Sequence, residues 1–549
     1  MSRLALCFLV LATPRAAQEP GARVDSLFSH LDEGVSPGLA VAVVRDGEVV
    51  LREGFGLASL EHRVPITSST VFDVASVSKQ FTGLAVAMLV EQGRVDLDDD
   101  IRSWIPELPD FGPTITVRHL LHHTSGLRDW PGALSIAGWR YDDVISYEQI
   151  LRMAYAQEDL NFEPGSEYTY SNTGYNLLAE LVARVTGTSF REWTEANLFR
   201  PLGMTRTHFH DDHTEVIADR AFGYARARDG SYRRASNNLT ALGSSSLYST
   251  VDDLAKWLIN FERATVGGPS ALALTRTRGV LDGGDTIPYA FGISHGQYRG
   301  LPTLGHGGSW AQFSTYVVHF PEQRLGVVVL SNSGSNNAQR AASQVVDILL
   351  EDALGPPEAP AAADVARVEV SPALLEAYAG VYRLGPGWFV RIRRDGSALR
   401  ARATREDEVA MTPRSERAFW VEAYGALISF ERDADGPVTH LAYRGMRAPR
   451  VGEGEAPAPS PDVLAQLAGR YESGELDASY VVEVDEGGLL MRHRRHGTIR
   501  LEPAWGDEFV GSTGFIRAVT FRRDADGRVV GLLVNAGERN RDLWFMKVR

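Results

Sequence analysis

The sequence predicts an α+β domain followed by two small antiparallel β-barrels, and three observations carry that expectation. Strand-patterned stretches stand near the start and the end of residues 24–350, with helix-patterned stretches between them. After Leu350 a Pro- and Ala-rich stretch interrupts the pattern. Beyond it the chain repeats itself at an interval of about ninety residues, in short alternating runs.

Composition sets the outer limits. The 549-residue chain is too long for one core, and its length suggests about three or four domains. Hydrophobic content of 44% and charged content of 23% are those of an ordinary globular protein. A formal net charge of −14 argues against nucleic-acid binding and against an anionic membrane surface. No run of 18 apolar residues occurs, so no transmembrane anchor is expected.

The expected organisation is a signal peptide over 1–17, a catalytic domain over 18–353, a linker over 354–370, one barrel over 371–450, a second linker over 451–462 and a second barrel over 463–549. Arg3, the apolar residues 4–12, and then Pro14, Ala16 and Ala17 follow the order of an export signal, which predicts a secreted or periplasmic protein. Cys7, the only cysteine, falls inside that signal, so neither thiol chemistry nor a disulfide is expected. A lipid anchor on Cys7 is the rival reading; bulky Leu6 stands where such a site wants a small residue.

Residues 38–56, GLAVAVVRDGEVVLREGFG, give two β-rich runs about an Asp46-Gly47 turn, a hairpin signal. In residues 70–93, Phe81, Leu84, Ala85, Met88 and Leu89 form one helical stripe, beginning near Ser76 and ended by Gly93. Ser76 and Lys79 then lie one turn apart on the same face. A serine hydroxyl needs a neighbouring base, and a lysine serves as one only where burial or nearby positive charge lowers its pKa. The chain has only three lysines, Lys79, Lys256 and Lys547, and arginine fills the other basic positions without being able to give up its proton. Lys79 therefore stands where a titratable amine is needed.

Residues 115–127, ITVRHLLHHTSGL, read as a short helix ended by Ser125 and Gly126. Adjacent His122 and His123 would point about 100° apart on it, with no third ligand following, so a structural or site-wall role is expected and no metal. In residues 162–187, Pro164 and Gly165 mark a turn, and Leu177, Leu178, Leu181, Val182 and Val185 a helical stripe. Between them lie Tyr170, Ser171 and Asn172. A phenol near positive charge can be driven toward phenolate and exchange protons, and an Asn amide can bind a carbonyl and orient a lysine. In residues 304–333, two strand patterns at 313–320 and 325–330 follow His306, Gly307, Gly308 and Ser309, which lead into the hairpin. The paired glycines permit close approach of backbone to ligand, and an N–H there can help bind an oxyanion.

Together Ser76-Val77-Ser78-Lys79, Tyr170-Ser171-Asn172 and His306-Gly307-Gly308, with HHTSGL at 122–127, PLGM at 201–204 and LYSTVDDLAKW at 247–257, resemble the serine β-lactamase and penicillin-binding superfamily. The likeness is to its class C branch of lactamases, D-alanyl-D-alanine carboxypeptidases, D-aminopeptidases and esterases, and it spans residues 24–350. It implies an antiparallel sheet packed by helices, with an all-helical subdomain between the sheet segments. It implies that Ser76 attacks the carbonyl, that Lys79 accepts or helps accept the proton, and that Tyr170 protonates the leaving group and later activates water. Asn172 would orient Lys79, and the N–H groups of Ser76 and Ser309 would form the oxyanion hole. His306 stands where many relatives have lysine; a neutral imidazole anchors a substrate carboxylate weakly, which argues against efficient β-lactamase activity.

Past the first linker, Ala379-Gly380-Val381-Tyr382 recurs as Ala468-Gly469-Arg470-Tyr471, and FERDADG at 430–436 recurs as FRRDADG at 521–527. The Asp-Ala-Asp-Gly loops are too short for a twelve-residue calcium loop and fit tight hairpin turns. This layout resembles D-aminopeptidases in which two lipocalin-like barrels narrow the active-site entrance. The sequence thus points to an acyl-enzyme serine hydrolase acting on a small amide or peptide, D-aminopeptidase-like, with no cofactor. A short-chain esterase and a carboxypeptidase or β-lactamase are the rivals within the same chemistry. A slowly deacylating penicillin- or peptidoglycan-binding sensor is the rival of another class, and a homodimer is left open.

Overall fold

The computed structural model describes residues 20–32, 34–356, 368–432, 436–454, 458–485 and 488–548. The expected signal peptide and residues 357–367 of the first linker lie outside them. The catalytic domain is built on a six-stranded antiparallel sheet ordered Ser294–Tyr298, Leu301–Trp310, Phe313–Phe320, Leu325–Ser331, Leu39–Arg45, Glu48–Phe55. Its two central strands, LGVVVLS and LAVAVVR, are apolar runs because both faces of the sheet are covered. Val24, Phe28, Ala342 and Val345 cover one face; Phe81, Leu84, Leu254 and Leu258 pack toward the other. Glu48–Phe55 forms an edge whose mostly exposed, charged residues discourage pairing with a further strand.

Between the second and third of these strands in the chain lies the helical part of the domain. The helix Lys79–Glu91 is buried on nearly every side rather than on one stripe, because the sheet, Asn172–Thr186 and Val251–Arg263 surround it. At Gly83 a Cβ would lie 2.2 Å from the Phe291 carbonyl oxygen, so only glycine permits that approach. The helix expected over 115–127 is confined to Val117–Leu121. His123 leaves it at φ 59°, and the turn carries its ring into the wall of the cleft, between Tyr170 and Tyr289 at 4.3 and 4.5 Å.

Two closed eight-stranded antiparallel barrels follow, from Gly380–Gly385 to Met446–Gly452 and from Gly469–Ser473 to Leu543–Val548. A short helix with proline in its first turn precedes each, Pro372–Tyr378 and Pro461–Leu467, capped by Ser371 and Ser460. The recurring tyrosine explains part of the repeat: Tyr382 donates to the Tyr378 carbonyl at 2.9 Å, and Tyr471 to the Leu467 carbonyl at 2.6 Å, tying helix to barrel in both copies. In the second Asp-Ala-Asp-Gly turn the Asp524 carboxylate accepts from the N–H groups of Asp526 and Arg528, as a hairpin turn requires. Residues 433–435 of the first lie outside the described residues.

The second barrel docks on the catalytic domain. Trp130, Leu134 and Ile136 share one hydrophobic core with Leu476, Tyr480 and Leu543. Arg128 and Glu475 form an ion pair at 2.6 Å whose side chains are 3% and 4% exposed. The first barrel rests on the second, where Glu508 accepts from Arg383 and from the Gly387 N–H.

Candidate active site

Ser76 sits in the 3-10 turn Ala75–Ser78, which joins the strand Phe72–Asp73 to the helix carrying Lys79. Asp73 accepts from the Ala75 N–H at 2.8 Å and holds the turn, in which Ala75 takes the costly left-handed φ of 49°. The strand Leu301–Trp310 abuts this turn. His306, Gly307, Gly308 and Ser309 lie inside that strand, opposite Val317, Tyr316, Thr315 and Ser314, rather than ahead of it. A Cβ on Gly308 would lie 2.3 Å from the Val74 carbonyl oxygen, so that glycine admits the serine's turn, where the sequence suggested a ligand. Ala311 and Gln312, both at positive φ, close a two-residue hairpin after Trp310. Alternation along the ladder then turns the Ser309 N–H away from the partner strand. Strand Ser294–Tyr298 pairs only with residues 301–305 and leaves that edge uncovered.

Lys79 is fully buried. Its Nζ lies 2.7 Å from the Ser244 carbonyl oxygen, 2.8 Å from Asn172 Oδ1 and 3.2 Å from Ser76 Oγ. Burial drives its pKa well below the usual lysine value; Asp129 opposes that shift and Arg539 reinforces it. A neutral amine has two N–H donors and one lone pair. Two carbonyl oxygens take the donors, and the lone pair is left facing the serine hydroxyl.

Asn172 begins the helix Asn172–Thr186, capped by Ser171. Its orientation follows from its partners: Nδ2 donates to Asp129 at 3.0 and 3.2 Å, which turns Oδ1 toward Lys79. Asp129 also accepts from the Asn172 N–H at 2.8 Å and pairs with Arg539 at 3.4 Å. Burial raises its pKa, opposed first by Arg539 and then by the Asn172 donors.

Tyr170 differs from the sequence reading. Its hydroxyl faces Ser76, and Lys79 Nζ lies 4.8 Å from its ring centre, yet burial raises its pKa and the resting group is a neutral phenol. The low-dielectric wall of His123, Tyr289 and His306 outweighs the nearby cations. His306 is neutral as expected, its pKa pushed down to about 3 by burial and then by Lys79. Its Nδ1 faces the Gly307 carbonyl at 2.6 Å as donor, which leaves Nε2 to accept from the Tyr289 hydroxyl at 2.9 Å.

These side chains open on a cleft of about 1000 Å³ lined by Ser76, Tyr170, Asn172, His306, Gly307 and Ser309. Gly308 is turned away from it, against the Ser76 turn. Asp129, Arg539 and Tyr289 complete the arrangement, and sequence reasoning missed all three. Asp129 follows the HHTSGL stretch directly, before Trp130 and Pro131, and its place as an N-terminal helix residue was the available signal. Arg539 lies in the second barrel, on the hairpin loop 536–542, and its polar sequence says nothing of where that loop goes.

Comparison with known proteins gives the same picture. The family model described as Beta-lactamase matches residues 24–350. A D-aminopeptidase of Gluconobacter oxydans (strain 621H) is 30% identical over 85% of this chain and 86% of its own. A D-aminopeptidase of Brucella anthropi is 28% identical over 93% of this chain and 96% of its own. The structure of the octameric penicillin-binding protein homologue from Pyrococcus abyssi superposes with a TM-score of 0.56 and 26% identity, over 78% of this chain and 99% of that one. A buried lysine beside a serine on the edge of an antiparallel sheet, in a chain with these relatives, belongs to a serine hydrolase of the Beta-lactamase family.

Proposed function

We propose that the protein is a D-aminopeptidase-type hydrolase that cleaves small amides through an acyl-enzyme at Ser76. The observation that carries the proposal is the hydrogen bonding of Lys79, whose free lone pair faces Ser76 Oγ. Lys79 takes the hydroxyl proton as Oγ bonds to the acyl carbon, and the N–H groups of Ser76 and Ser309 receive the oxyanion. The neutral Tyr170 phenol gives its proton to the departing amine as the C–N bond breaks, and the proton on Lys79 restores it. Water then attacks the acyl group, losing its proton to Lys79 through the same path, and Ser76 recovers its hydrogen as the acid leaves. Asn172 holds Lys79 in place throughout. Neutral His306 offers no fixed charge to a substrate carboxylate, and Arg539 is tied to Asp129, which supports an amide over a β-lactam.

The test is initial rates of wild type and Ser76→Ala on D- and L-alanine nitroanilides, a nitrophenyl ester, a D-Ala-D-Ala peptide and nitrocefin. Ser76-dependent cleavage of the D-nitroanilide in preference to the L form is expected. Turnover of the ester alone, or of nitrocefin or the peptide in its place, overturns the substrate class. Equal rates for wild type and variant on every substrate overturn the catalytic assignment. Export, tested by sequencing the N-terminus of the mature protein, and a homodimer, tested by light scattering, belong to the same proposal. No helix among the described residues is long and apolar enough to cross a membrane, which agrees with export.

A further inference from the structure

Away from the cleft, two imidazoles and a carboxylate converge. His208 and His210 lie two residues apart where the chain is extended, which sends both rings to one side while Phe209 between them enters the core. Glu215 returns on the loop that follows. Its Oε2 lies 3.4 Å from His210 Nδ1 and 3.9 Å from His208 Nε2, and the three ligand atoms lie within 4.8 Å of one another. Ligands held at about 2.0–2.1 Å around a tetrahedral ion stand ~3.3 Å apart, close to the first two of these separations.

The second observation is polar burial. His210 is 1% exposed, and neither of its ring nitrogens has a hydrogen-bond partner; His208 Nε2 is buried and lacks one as well. Unsatisfied buried nitrogens are costly in a fold that otherwise pairs its polar groups. The surroundings hold all three groups in place. His208 stacks on Tyr248 at 6.1 Å, and the edge of His210 meets the same ring at 5.0 Å. The His210 N–H donates to the Ser246 carbonyl at 2.8 Å. Asp212 folds the loop by accepting from the N–H and hydroxyl of Thr214. Arg191 grips Glu215 through both carboxylate oxygens at 2.8 and 2.7 Å and also holds Asp211. It thereby orients Glu215 as an outer partner, while Oε2 keeps a lone pair toward the histidines. Arg191 and Arg220 weaken attraction for a cation; Glu215 and Asp211 offset them.

We propose that His208, His210 and Glu215 form a binding site for a divalent transition metal of the zinc class, with water completing the coordination. Two nitrogens and one oxygen suit zinc or cobalt and not calcium or magnesium, which take oxygen ligands. None of the three residues lines the cleft, so the ion is structural. It fastens the loop after His210 to a small sheet in which His208–Phe209 pairs with Leu247–Ser249, and that strand with Phe72–Asp73, which runs into the Ser76 turn.

The experiment uses full-length protein without an affinity tag, stripped with a chelator and titrated with zinc chloride by calorimetry and with cobalt chloride by visible absorption. One equivalent of zinc per chain is expected, with four-coordinate d–d bands for cobalt. Zinc at a hundredfold excess over its Kd is expected to raise Tm by ~5 °C in wild type and not in His210→Ala. His208→Asn, at a partly exposed position, gives the same answer if His210→Ala does not fold. A wild type that takes up no zinc and keeps its Tm overturns the proposal. So does zinc uptake that persists undiminished in the folded variants.

Discussion

The two barrels share an ancestry written in their sequence and part company at one hairpin. Both have the proline-started helix, the tyrosine that ties it down and eight strands in the same order. In the first barrel the last two strands, Val438–Tyr443 and Met446–Gly452, are joined by the tight turn Arg444-Gly445, both residues at positive φ. In the second, Val529–Asn535 and Leu543–Val548 are joined by residues 536–542. That longer loop lays Arg539 beside Asp129 and 4.8 Å from the centre of the Tyr170 ring, while Asn161 takes the Arg539 carbonyl and the Arg541 N–H. The barrel is scaffold; a change in one turn turns one copy into part of the candidate active site.

The comparison can be broken at the docking surface first. Arg128→Ala strands the Glu475 carboxylate in the interface and is expected to cost about 3–5 kcal/mol of stability in urea denaturation. Arg383→Ala between the barrels is expected to cost less, because Glu508 keeps the Gly387 N–H. Next comes the loop itself. Replacing residues 536–542 by the Arg-Gly turn of the first barrel is expected to lower kcat/KM about a hundredfold with the circular dichroism unchanged. Grafting the long loop onto the first barrel is expected to leave kcat/KM as it was.

A smaller effect sharpens the electrostatics. Arg539→Ala removes a positive charge and releases Asp129 from its partner, and both changes favour protonated Lys79. Activity that requires the neutral amine then needs a higher pH, so the acid limb of the kcat/KM profile moves upward and activity at neutral pH falls about tenfold. Arg539→Lys restores most of the original profile. The smallest effect tests the shared part: Tyr382→Phe and Tyr471→Phe are each expected to cost about 1 kcal/mol, and alike in the two barrels.

Much of this was legible in sequence wherever the signal is local. Strand alternation marked Phe313–Phe320 and Leu325–Ser331, and helical spacing put Ser76 and Lys79 together. Tyr170 and Asn172 were readable as a pair because they flank a helix start. His123 was not, since the run HLLHH reads as continuous helix and only packing against Tyr170 and Tyr289 pulls it out of register. The phenol's protonation state was misjudged for the same reason: a sequence displays the cations around Tyr170 but not the burial that outweighs them. Arg539 is invisible for a different reason, because its meaning lies in a partner in another domain.

That separation also has a consequence in time. Asp129 and Arg539 are 410 positions apart. At about 5–20 residues per second, roughly 20–80 s of synthesis pass between the two. Through that interval the serine and its lysine exist in a nascent chain whose Asp129 has no guanidinium beside it. The finished cleft is among the last things the ribosome makes, so a hydrolase that would otherwise meet its first substrates inside the producing cell is held back by the order in which its own parts arrive.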